Sequence, residues 1–165
     1  MTFEQSVFSE YKKIIETTAI QKCYHQVIQL IKYVSSELEN KMPEYTFMGR
    51  VVENHMDFSY FQITREGLKE QGLKIQIVFI HATCEFEVWI SGYNREIQCN
   101  YYKKLCDSEC PFQICSDPQK NDFIIKTVIK NKITASKPEA IIAEIKITIL
   151  ELEKYIQNFQ KENWN

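Results

Sequence analysis

Between Leu73 and Leu105 the hydrophobic period changes once, from two to about three and a half, and that change constrains the fold more than any other feature. Leu73–His81 and Cys84–Ser91 alternate as strands, with only Ala82 and Thr83 between them, which leaves room for a tight hairpin. After Gly92 the spacing of Ile97, Tyr101 and Leu105 is helical, until Asp107 to Pro111 interrupts it. A hairpin feeding straight into a helix implies an antiparallel sheet with helices set against it.

The flanking sequence fills in that scheme. Phe3, Val7, Tyr11, Ile14 and Thr18 recur at helical intervals, and Thr18 followed by Gln21 has the form of a capping box opening a second helix. Ile20, Tyr24, Val27, Ile31, Val34 and Leu38 give that second helix one apolar stripe, which Pro43 ends. Strands are expected at about 45–52, 57–63, 112–116 and 123–130, besides the hairpin. Thr64 is placed to cap a helical turn through Leu68, and Gly72 to end it at positive φ. Ser136, Pro138 and Glu139 start a final helix that runs to about Gln160. The expected fold is therefore α+β in a single domain, residues 1–165. It comprises an N-terminal helix pair, an antiparallel sheet of five to six strands interrupted by a helix, and a long C-terminal helix packed on the sheet.

That last helix carries Ile142, Ala143, Ile147 and Leu150 outside its main stripe of Ile141, Ile145, Ile149, Leu152, Ile156 and Phe159. So wide an apolar surface implies two neighbours: the sheet, and either the N-terminal helices or a second subunit in a homo-oligomer.

Alternation sorts the strands into two faces. Tyr45, Phe47, Gly49, Ser59, Phe61, Ile63, Ile75, Ile77, Phe79, Phe86, Val88 and Ile90 form the core face. Arg50, Tyr60, Gln62, Lys74, Gln76, Glu85, Glu87 and Trp89 form the opposite one, with cross-strand pairs such as Lys74 and Glu85. This second face is either plainly solvated or a functional surface. Its large rings favour the second reading, because they are costly to leave in water. Beside it, Ser91, Gly92, Tyr93, Asn94, Arg95 and Gln98 surround a helix start, where free N–H groups favour an anion.

Enzyme signatures are thin. Asp57, Glu85 and Glu87 invite comparison with metal-dependent nucleases, but Glu85-Phe86-Glu87 lacks the lysine that should follow. His81 near Cys84 lacks an orienting group, and no phosphate-cradling glycine loop occurs. Six cysteines without a CxxC pair fit neither a disulfide framework nor a zinc site, so no metal and no cofactor are expected. A formal charge of −2 gives no footprint for nucleic acid or an acidic membrane, and no apolar run reaches membrane-spanning length. The start, MTFEQSVFSEYKK, lacks the form of a signal peptide, so the cytoplasm is the expected location.

MDFSYF (56–61), LKIQIVFIH (73–81), FEVWISGYNREIQ (86–98) and the tyrosines 101–102 resemble a family of uncharacterised bacterial proteins of similar length. Its pattern is Phe-Glu-x-Trp, then Gly-x-Asn, then Gln, and the likeness extends from about Tyr24 to the last helix. Position 102 is tyrosine where the family suggests tryptophan. The resemblance implies a free-standing bacterial domain and draws attention to Asp57, Tyr60, Glu87, Trp89, Asn94 and Gln98, without assigning them roles. With Arg95 these are the candidate binding residues: Glu87 and Trp89 at the base of a site, and Asn94, Arg95 and Gln98 at its rim. The expected function is a non-enzymatic module binding a small ligand or a protein. The alternative is a small enzyme acting on an anionic or nucleotide-like substrate through the Asp57, Glu87 and Asn94 region.

Overall fold

In the computed structural model, which describes residues 2–133 and 138–163, two helices lead into the sheet: α1 (Gln5–Thr17) and α2 (Ile20–Lys41). Next come β1 (Thr46–Asn54), β2 (Phe58–Thr64), the short α3 (Glu66–Glu70), β3 (Leu73–Ile80), β4 (Glu85–Gly92) and α4 (Arg95–Leu105). β5 (Gln113–Ile114), β6 (Ile125–Val128) and α5 (Pro138–Asn163) complete the chain. The architecture is α+β. All six strands pair antiparallel in the order β1-β2-β3-β4-β6-β5, so β6 takes the place beside β4 and β5 lies outside it.

α2 and α5 cover one face of this sheet. Ile31, Val34 and Leu38 of α2 are buried as the stripe predicts, and Ile28, outside that stripe, is buried with them, whereas Ile20, Tyr24 and Val27 are half-buried. Ile141, Ile145, Ile149, Leu152, Ile156 and Phe159 of α5 are buried with them. The strands contribute Phe61, Ile63, Ile75, Ile77, Phe79, Phe86, Val88 and Ile90, all residues that alternation assigns to the core face. Of the wider surface of α5, Ile142 joins this core, whereas Ile147 and Leu150 stay exposed.

Several local expectations are corrected. Thr18 makes no capping box: it ends α1, donating its hydroxyl to the Ile14 carbonyl (2.7 Å), and Ala19 stands at the N-cap of α2. Thr64 is the last residue of β2 and Arg65 precedes α3 without a side-chain cap. Gly72 does end that turn, at φ +68, with Ile97 packed where a Cβ would stand. Ser136 lies outside the described residues. Cys84, at φ 55, closes a four-residue connection between β3 and β4 in place of the tighter turn expected at Ala82 and Thr83. A bulge between Met48 and Val52, with Gly49 at φ +74, shifts the alternation of β1. Within it Val51 packs on the core and Arg50 is exposed. The register also separates a proposed ion pair, since Lys74 lies opposite Ser91 and Glu85 opposite Ile80.

Candidate functional site

The second face of the sheet is not simply solvated. Antiparallel register aligns Gln62, Gln76, Trp89 and Lys126 in one row across β2, β3, β4 and β6, with Tyr60, Val78, Glu87 and Val128 in the next. The segment from Cys115 to Phe123 folds over the β4 end of these rows. Val78, Trp89, Cys115 and Phe123 form a second, smaller core there, joined by Phe58, Tyr60, Ile80 and Tyr102. The β1–β3 end stays open as a cleft of about 380 Å³. Tyr60, Gln62, Lys74 and Gln76 line its sheet side, and Tyr93, Asn94, Arg95, Gln98 and Asp122 its other wall.

Polar side chains hold the cleft in shape. Gln76 is buried and donates to the Ser91 hydroxyl (2.7 Å) and the Asp122 carbonyl (3.2 Å), while its own carbonyl accepts from Gln62 (3.3 Å). Ser91 donates to the Asp122 carbonyl at 2.7 Å. Gln98, also buried, donates to the carbonyls of Pro118 (3.2 Å) and Asn121 (2.6 Å). Arg95 donates to the same two carbonyls and pairs with the Asp122 carboxylate at 3.2 Å. Asn94 caps α4, accepting from Ile97 N–H at 2.9 Å. Gly92 is required beneath them, because a Cβ there would meet the Gln98 nitrogen at 2.8 Å. Three rim residues suggested by the sequence therefore spend much of their hydrogen-bonding capacity bracing the wall.

Lys74 differs. Its side chain reaches the cleft half-buried, and among the described residues it makes no hydrogen bond and no ion pair. Loss of hydration lowers its pKa below the ordinary lysine value, a pull the nearby Asp122 charge opposes. The Tyr60 hydroxyl and the Asn54 amide, which also line the cleft, have no hydrogen-bond partner among the described residues either.

Of the seven residues singled out by sequence, the cleft gathers Tyr60, Asn94, Arg95 and Gln98. Glu87 and Trp89 lie beside it within the small core. Trp89 Nε1 donates to Glu87 at 2.6 Å, and Lys126 clamps both carboxylate oxygens at 2.9 Å. The Trp89 ring packs between Phe58 (5.7 Å) and Phe123 (5.2 Å), so it supports the cleft through Phe58 instead of lining it. Asp57 is exposed in the β1–β2 turn, outside the lining. Val52, Asn54, Phe58 and Asp122 are the lining residues the sequence reading passed over. Gly49 carried the available signal for Asn54, since a glycine within a strand pattern marks a bulge that resets the alternation.

The cysteine and histidine readings separate as well. His81 Nε2 meets the Ser59 hydroxyl at 2.9 Å and its ring stacks on Tyr24 at 5.3 Å, whereas the Cys84 thiol donates to the His81 carbonyl. All six cysteines are free. Among the described residues no three His, Cys, Asp or Glu side chains converge to hold a metal ion, and no helix is long and apolar enough to cross a membrane.

Residues 3–160 match one family over nearly the whole chain. The chain belongs to DUF7000, a domain of unknown function. No curated protein and no solved structure matches it. In this DUF7000 chain the cleft is where the polar sheet face stays open.

Proposed function

We propose that the protein is a binding module for a small anionic ligand carried in the cleft of the polar sheet face. The observation that carries this reading is Lys74: a half-buried ammonium without a partner among the described residues costs free energy that a bound anion would return. The volume fits a small ligand better than a protein surface, lying near the lower end of the usual 300–1,000 Å³ range. Tyr60 and Asn54 add unspent polar groups for orientation, and Phe58 adds an aromatic wall. Binding is favoured over catalysis because the cleft's carboxylate, Asp122, is already engaged by Arg95. Glu87 is engaged by Lys126 and lies outside the lining.

Calorimetric titration with inorganic phosphate, a nucleoside monophosphate and a dicarboxylate tests this directly. At least one should bind, and Lys74→Met should lose that binding while unfolding as cooperatively as the parent. Absence of binding by all three at millimolar concentration, or unchanged binding by Lys74→Met, would refute it.

A further inference from the structure

Helix α1 buries none of its side chains, although its sequence is strongly amphipathic. Phe3, just before the helix, is 72% exposed, with Val7 58%, Phe8 55%, Tyr11 66% and Ile14 43%. At about 100° per residue these side chains occupy one arc of roughly 140°. The Phe3 and Phe8 rings already pack edge to face at 6.4 Å, which pre-forms one end of the surface. A lone helix of 13 residues is marginal in water, since helices of this length draw most of their stability from packing an apolar face.

We propose that this face is covered by α1 of a second copy, the two helices running antiparallel across a two-fold axis. Area supports this. At 150–250 Å² per large side chain, the five residues expose about 500–600 Å² of mostly apolar surface. Two copies would remove about 1,000–1,200 Å² before any polar rim is counted, which reaches the lower bound for a specific interface. The stripe is also self-complementary. Antiparallel pairing sets Phe3 against Ile14 and Val7 against Tyr11 of the other copy, a large side chain facing a smaller one in both of these layers, with Phe8 near the axis beside its own counterpart. Charge disfavours a membrane as the occupant, because Glu4, Glu10 and Glu16 outnumber Lys12 and Lys13 on and beside the helix. This pairing is independent of the cleft and of its ligand.

Sedimentation equilibrium of the full chain at micromolar concentration should show a dimer. Val7→Glu combined with Tyr11→Glu should weaken it at least about a hundredfold, since two charges would enter a dry interface. Both residues are exposed in the single chain, so its unfolding midpoint extrapolated to low concentration should not move. Ile147→Glu with Leu150→Glu, on the exposed side of α5, should leave the dimer intact. A monomeric parent overturns the proposal, whether or not it sediments with anionic vesicles. So does a dimer that survives the α1 substitutions, or one that the α5 substitutions also break.

Discussion

The two faces of the one sheet are built from the same strands, residue by residue, yet they end in different states. On the helix-covered face Phe61, Ile77, Phe79 and Val88 are apolar and closed off from solvent. On the other face, one residue along in each strand, Gln62, Gln76 and Glu87 are mostly or partly buried and hydrogen-bonded, and Lys74 has no partner among the described residues. The first face is finished by dispersion and the hydrophobic effect, which need no particular partner. The second depends on directional partners, so it can be complete at one end and open at the other. Stability belongs to the first face, and the proposed binding to the open end of the second.

Substitutions can break that contrast, and the largest effect should come from the apolar face. Phe79→Ala should cost about 3–5 kcal/mol in denaturant unfolding, because the ring is fully buried against Phe86. A loss below about 1 kcal/mol would invert the assignment of the faces.

Glu87→Gln should cost about 1–3 kcal/mol by leaving the mostly buried Lys126 ammonium unpaired, while anion binding in the cleft persists. Loss of binding at unchanged stability would instead place Glu87 in the site.

Lys74→Met should shift stability by less than about 1 kcal/mol, upward if at all, since it removes an unpaired half-buried cation. A clear destabilisation would show that Lys74 has a structural partner and that the open end is closed after all.

The smallest effect concerns His81, at the margin of the apolar face against Phe79 and Tyr24. Burial lowers its pKa below the ordinary histidine value. The unfolded chain therefore takes up the proton first, and the stability contributed by the neutral ring is complete above about pH 6.5 and lost as pH falls through it. Comparing urea midpoints at pH 7.5 and 5.5, His81→Phe should show a shallower loss than the parent. An equal loss would mean that His81 is as well hydrated as an exposed histidine.

Local pattern decided a great deal. The sequence by itself determined the six strands to within a few residues, the helices between and around them, and the apolar face, because side-chain period follows directly from backbone geometry. It also marked Tyr60, Asn94, Arg95 and Gln98, which the fold gathers around one cleft. Caps were less legible: the hydroxyls of Thr18 and Thr64 had rival acceptors nearby, and the sequence does not say which one they meet. What only the tertiary structure decided was the use of the polar face. Whether Glu87 and Trp89 would be free or spent depended on Lys126 and Phe123, brought there by β6 and by the segment just before it. The openness of Lys74 depended on where the 115–123 segment stops covering the sheet. Hydrophobic burial is non-directional and is therefore written in local periodicity, but hydrogen bonds and ion pairs need particular partners at particular distances, and only the folded chain supplies those.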